Sequence, residues 1–240
     1  MNNKRIRLIT NLLLVFIVIS VILVGIKPDR SVTISTEGNY GAIYSGSEDV
    51  LGVSLMFNVY ENSSVVKKII DLLNENSVTA TFFVGGCWAD DNQSLLKEII
   101  ESGFELGNHG YFHKDHKKLN KVQNLKEIED CHKIVYALTG YKMTLFAPPS
   151  GSYSKTTLEV ASSLNYHTIM WSKDTIDWRD KDINTIVKRA SENVGSGDLI
   201  LMHPKPHTLE ALPKIIESIK SKNLNFLTVS KCCSLEPIEV

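Results

Sequence analysis

An excess of charge of one sign is missing from this sequence: 26 Lys and Arg nearly cancel 27 Asp and Glu, leaving a net charge of -1. The net charge gives no field strong enough to gather nucleic-acid phosphates by counterion release, which argues against DNA or RNA as a partner. Cysteine is scarce too. Cys87, Cys131, Cys232 and Cys233 are the only four, too few and too irregular for a disulfide-stapled miniature or a CxxC zinc site. The adjacent Cys232 and Cys233 read as packing residues at a strand end. With 7 Pro and 14 Gly in 240 residues, collagen-like and low-complexity chains are excluded. Gly-rich phosphate loops, a GxSxG nucleophile elbow and internal repeats are absent as well. What is present is 43% hydrophobic residues, enough for one buried core plus an appended segment.

One long apolar run stands out. Lys4, Arg5 and Arg7 precede 19 uncharged residues from Leu8 to Ile26, enough for a helix across a hydrocarbon core roughly 30 Å thick. The run ends in Val24-Gly-Ile-Lys-Pro28 without a small-x-small cleavage site, so it reads as an uncleaved signal-anchor. The basic flank stays cytoplasmic by the positive-inside rule, which makes the chain single-pass in the cell membrane and leaves the rest extracytoplasmic. The division expected is a basic flank and membrane helix over 1–30, a polar stalk over 31–48, a folded domain over 49–235 and a tail over 236–240.

Within the domain, short β-branched runs alternate with segments of period near 3.6, the pattern of repeated βα units on a parallel sheet. Strands are expected at 52–59, 78–84, 104–107, 143–146, 166–172, 199–203 and 226–229. Helices are expected at 63–76, 93–102, 125–138, 156–164, 183–194 and 209–221. The fold class is α/β, a distorted and incomplete (β/α) barrel, and such barrels carry their chemistry where strands end at the C-terminal face. Those ends hold Asn58; His109 and His113; Pro148, Pro149 and Gly151; Asp174, Asp177 and Trp178; and His203. On a helical turn His109 and His113 would face one way and can share a divalent cation, although that spacing is also common on solvated helix faces. Asn108 beside them is placed to orient a ring. Trp88 and Trp171 read as core, His116, His132, His167 and His207 as packing or surface residues, and Lys114, Lys117, Lys118 and Lys121 as a solvated face.

Taken in order, several segments resemble the polysaccharide deacetylases of carbohydrate esterase family 4. They are Val78-Thr-Ala-Thr-Phe-Phe-Val84, Glu105-Leu-Gly-Asn-His109-Gly-Tyr-Phe-His113, Ala147-Pro-Pro-Ser-Gly151, Trp171-Ser-Lys-Asp174-Thr-Ile-Asp177-Trp178 and Leu201-Met-His203. The match covers nearly all of 51–230. The resemblance implies a hydrolase acting on carbon–nitrogen bonds other than peptide bonds. It would remove acetyl groups from an amino-sugar polymer such as cell-wall peptidoglycan, with the help of a zinc-type divalent cation. Carried over by position, His109 and His113 are metal ligands, His203 the general acid and Asp177 its supporting carboxylate. Pro148, Ser150, Gly151, Trp178 and Leu201 are implied to bind substrate.

The departures fall on the catalytic machinery. Where the family has Thr-Phe-Asp-Asp-Gly, this chain has Met56-Phe-Asn-Val-Tyr60, so Asn58 stands at the catalytic base and Val59 at the third metal ligand. An amide accepts no proton in this pH range and an isopropyl group binds no cation. Ala147 replaces the arginine that holds the family's base, which avoids leaving a cation without its partner. Three readings stay open at this point. Another carboxylate, Glu61 or Asp115, restores an altered hydrolase; catalysis is lost and a membrane-tethered glycan-binding or scaffolding protein remains; or the barrel serves a changed substrate or reaction.

Overall fold

The computed structural model of the chain describes residues 41–235. The expected membrane helix, most of the expected stalk and the C-terminal tail lie outside the described residues, among which no helix is long and apolar enough to cross a membrane.

The eight-residue strand β2 (Gly52–Val59) is buried along its whole length because it runs between two neighbours under a helical layer. It pairs in parallel with β3 (Thr81–Val84) on one side and β8 (Leu199–Met202) on the other. Its side chains alternate as a pleat requires. Val53, Leu55, Phe57 and Val59 enter the large apolar cluster shared with the helices, whereas Met56 enters a smaller cluster inside the curl of the sheet. Phe57 stacks on Phe82 with ring centroids 5.2 Å apart, and burying each such side chain stabilises the fold by about 1.5–3 kcal/mol.

The sheet extends from β3 through β4 (Glu105–Asn108), β5 (Leu145–Phe146) and β6 (His167–Ile169) to β1 (Ala42–Ile43), and from β8 to β7 (Lys173–Asp174). A ninth strand, β9 (Asn225–Phe226), pairs with the start of β2. Among the described residues every pairing is parallel, with β1 and β7 at the two edges, and the sheet curls as a half-barrel. The helices between strands are α1 (Ser63–Glu75), α2 (Gly86–Asp91), α3 (Gln93–Glu101), α4 (Lys121–Thr139), α5 (Lys155–Ser163), α6 (Ile183–Ser191) and α7 (Pro206–Lys220), with α8 (Val229–Cys232) after β9.

Local chemistry sets the helix ends. Asn120 accepts from Gln123 N–H in a capping box that starts α4, and Gly140 at φ 70° ends it. Three expectations need correction. The linker expectation over 31–48 fails at its end, because Ala42–Ile43 forms parallel bridges with Thr168 and Ile169 and Gly46 N–H donates to Gly197 C=O. The strand expected over 226–229 stops at Phe226: Thr228 accepts from Lys231 N–H and starts α8 instead. Cys232 and Cys233 are therefore helix-end rather than strand-end packing residues. The short helix Gly86–Asp91 carries too few residues for a readable period.

Candidate functional site

A cavity of about 470 Å³ opens where β2, β4, β7 and β8 end. Its lining brings together Asn58, His109, His113, Ser150, Asp174, Trp178, Leu201 and His203 from distant parts of the sequence. Tyr60, Glu61, Trp171, Pro204 and Lys205 complete it.

His109 and His113 do not sit on a helical turn. β4 ends at Asn108, and the chain then loops through Gly110 at φ 73° and His113 at φ 53°. The loop brings the two imidazoles edge to face with centroids 5.1 Å apart. Left-handed backbone at a histidine is uncommon and costly, so surrounding contacts must hold it. Glu127 on α4 does so, accepting Tyr111 N–H at 3.1 Å and Phe112 N–H at 2.8 Å through one oxygen while the other meets Lys114 Nζ at 2.9 Å. Asn108 accepts Gly110 N–H at 2.8 Å and donates to Ile128 C=O at 2.8 Å. It fixes the loop rather than a histidine ring, contrary to the expectation. The His109 ring is oriented by Ala147 C=O, 2.7 Å from Nδ1. A backbone carbonyl only accepts, so Nδ1 carries the proton and Nε2 of the neutral ring keeps its lone pair. Burial, followed by the neighbouring His113, pushes the His109 pKa down to about 3, and burial lowers that of His113 too. Both rings are neutral acceptors near pH 7.

Asp177 is 1% exposed, and its two oxygens are fully used. Oδ1 lies 2.7 Å from His203 Nδ1, and Oδ2 accepts His203 N–H at 2.7 Å and the Thr208 hydroxyl at 2.6 Å. Burial by itself raises the Asp177 pKa, but these hydrogen bonds and the His203 charge outweigh it and hold the carboxyl below its ordinary range. The preceding Ile176 adopts φ 54°, an outlier for a β-branched residue. His207 lies behind this pair, its Nε2 2.7 Å from Asp177 C=O.

Ser150 is presented on a turn at φ 56°, followed by Gly151 at φ 64°. A Cβ at Gly151 would come within 2.6 Å of the Trp171 ring. Pro148 and Gly151, expected to bind substrate, shape this turn and do not line the cavity. Trp171, expected in the core, is a half-buried wall instead. Trp178 is exposed at the rim with the Arg179 guanidinium 5.6 Å from its ring centroid, and Leu201 is buried in the wall. Trp88 is core, as expected. Lys114 and Lys118, within the expected solvated face, are paired with Glu127 and Asp115. Sequence reading missed Tyr60 and Lys205. Tyr60 follows the departed motif, where its ring packs 4.8 Å from that of His113, and a pattern of strand ends signals neither residue.

The residues expected for a cation do not complete a set. Val59 belongs to the apolar cluster against the helices and is absent from the cavity lining. Asn58 lines the cavity, but as a neutral amide. Of the candidate replacements, Asp115 is tied to the Ser152 hydroxyl at 2.5 Å and Lys118 at 2.9 Å outside the lining. Glu61 reaches the cavity but is paired with Lys205. Among the described residues no three His, Cys, Asp or Glu side chains are grouped to hold a metal ion. Catalytic zinc takes three protein ligands, so two neutral imidazoles and an amide do not fit the family's ion. The arginine's former place is closed as well: the Ala147 side chain lies in the apolar cluster with Met56, Phe83 and Ile169.

Strand ends, histidine loop, aspartate–histidine pair and curled parallel sheet together define a carbohydrate esterase family 4 domain. The polysaccharide deacetylase family model matches residues 47–169, and the chain belongs to that family. It is 34% identical to the uncharacterized protein YlxY of Bacillus subtilis over 79% of this chain, spanning 59% of that relative's length. It is 31% identical to a peptidoglycan-N-acetylglucosamine deacetylase of Bacillus cereus, over 79% of this chain and 71% of the relative. Among solved structures, a carbohydrate esterase family 4 pseudoenzyme from Bacillus anthracis superposes with a TM-score of 0.78 at 30% identity, covering 81% of this chain and 69% of that one.

Proposed function

We propose that this chain is a non-catalytic, glycan-binding member of the polysaccharide deacetylase family. Residues 8–26 would hold it at the outer face of the cell membrane, and its ligand is the acetylated amino-sugar polymer of cell-wall peptidoglycan. The observation that carries the reading is Asn58 in the cavity wall at the position of the family's base, with Val59 committed to the core beside it. The proton acceptor and the anionic metal ligand are absent together, while the groove, its tryptophan rim and the Asp177–His203 pair persist. Support for the ligand comes from relatives named as peptidoglycan deacetylases. Support for lost catalysis comes from the Bacillus anthracis neighbour, described as a pseudoenzyme, a mutant of which is described as having restored enzymatic activity. Co-sedimentation of the full chain in detergent with insoluble peptidoglycan tests binding. The wild type should pellet with the wall, and Trp178→Ala should stay largely in the supernatant.

A second reading, an altered metal-assisted hydrolase, draws on one observation. Glu61 lines the same cavity as His109 and His113, and its charge acts on His113. In that case the full chain would take up near-stoichiometric zinc and lose it in the His109→Ala, His113→Ala double variant, measured by elemental analysis.

A further inference from the structure

Among the described residues, three buried side-chain atoms have no hydrogen-bond partner: Ser54 Oγ, Asn58 Oδ1 and His116 Nε2. Of the three residues, only Asn58 lines the cavity. A buried acceptor without a partner is rare in folded proteins and costs free energy until a donor reaches it. Asn58 is 5% exposed, so that group must enter from the cavity.

The surroundings define the group's chemistry. His109 and His113 present their rings to the same cavity, the His109 ring held by Ala147 C=O, 2.7 Å from Nδ1. The two carboxylates of the lining are engaged, Glu61 by Lys205 and Asp174 by the Ile176 N–H at 2.7 Å. Leu201, Tyr60 and Trp171 supply apolar wall. A carboxamide carries one acceptor and one NH2 donor group, and rotation about its last torsion exchanges them. The complement is a second amide with a small apolar end: an acetamido group offers an N–H, a C=O and a methyl. A free amine can donate to Asn58 Oδ1, but it offers no acceptor to the carboxamide NH2 and no apolar end to Leu201, Tyr60 and Trp171, and as a charged group it would have to shed its hydration shell.

We propose that Asn58 pairs amide to amide with an intact acetamido group of the bound sugar, which makes it the residue that selects acetylated over deacetylated glycan. The proposal rests on the glycan-binding reading above and gives it a specificity. The same substitution that removes the base supplies the recognition element.

Isothermal titration of the full chain in detergent with the N-acetylglucosamine tetramer and with its fully deacetylated counterpart tests this. The wild type should bind the acetylated tetramer at least about tenfold more tightly than the amine, a difference equivalent to about 1.4 kcal/mol. Asn58→Leu, close in volume and without hydrogen-bonding groups, should lose about tenfold for the acetylated tetramer and most of the discrimination. Asn58→Ala gives the same readout if the leucine variant fails to fold, with folding checked by circular dichroism. Unchanged affinity of folded Asn58 variants for the acetylated tetramer would overturn the assignment while leaving glycan binding intact. So would equal wild-type affinity for the two tetramers. Failure of the wild type to bind either would overturn the glycan reading and this proposal together.

Discussion

Asp177 Oδ1 lies 2.7 Å from His203 Nδ1, and its second oxygen takes the His203 backbone N–H at the same distance. One buried carboxylate thus fixes both the ring and the main chain of the residue at the end of β8. In a domain without the family's base, this pair acts as a structural clamp on the cavity wall.

Removing the clamp leaves buried donors unpaired. Asp177→Ala should lower unfolding free energy by about 3 kcal/mol, read as a shift of the urea midpoint at constant slope. Because hydrogen bonds hold the Asp177 pKa below its ordinary 3.8, its contribution is complete above that value and is lost as pH falls through the depressed folded value. The variant should therefore show a smaller loss of stability than the wild type below about pH 4.

Burial lowers the pKa of five histidines, His109, His113, His116, His132 and His167. A histidine whose folded pKa lies below its unfolded 6.5 takes up its proton first in the unfolded chain. Stability is then full above pH 6.5 and falls as pH drops below it, by up to about 1.4 kcal/mol per pH unit for each group. His116 is the cleanest probe outside the cavity: it is fully buried, with Nδ1 2.7 Å from Asn124 Oδ1. Thermal denaturation between pH 7 and pH 5 should show a shallower slope for His116→Gln than for the wild type, and equal slopes would contradict the assignment.

Glu127 positions the His113 loop from a helix that contributes nothing to the cavity lining. Glu127→Ala should weaken binding of the N-acetylglucosamine tetramer several-fold. Hydrogen exchange at the Tyr111 and Phe112 amides should accelerate. Glu127→Gln keeps one acceptor and should restore most of the protection, an outcome that a general packing defect would not produce.

At Gly151 the backbone is left-handed, and an added Cβ meets the Trp171 ring at 2.6 Å. Gly151→Ala should cost about 1–2 kcal/mol from backbone conformation alone. It should also displace the indole, changing tryptophan fluorescence and reducing glycan affinity. An unaltered emission spectrum would show that the ring has room to spare.

Much of the fold was legible because βα units alternate two hydrophobic periods. β2 shows period-two sorting into two separate clusters, and the long helices end at strong caps such as Asn120 and Gly140. The two-residue strand Ala42–Ile43 was not legible: its pairing with β6 is a tertiary event that leaves no local period. At the site, His109, His113, Asp177 and His203 could be found because family motifs mark them. Lys205, Tyr60 and the Glu127 support arise from loop geometry and from a helix face distant in sequence. The fate of Val59 was fixed by strand parity, which sends odd-numbered residues of β2 toward the helices. Its loss as a ligand was visible in sequence, but the structure was needed to exclude Asp115 from the lining and to pair Glu61 with Lys205.

As a non-catalytic binder, the groove should hold acetylated glycan without hydrolysing it. The most direct measurement is acetate released from the N-acetylglucosamine tetramer by the full chain supplied with zinc, at concentrations where titration shows the tetramer bound. Saturable binding with acetate at the level of a protein-free control is the predicted result. Acetate released in many turnovers per chain, abolished by a chelator and by His203→Ala, would contradict it and establish a hydrolase working without the family's aspartates.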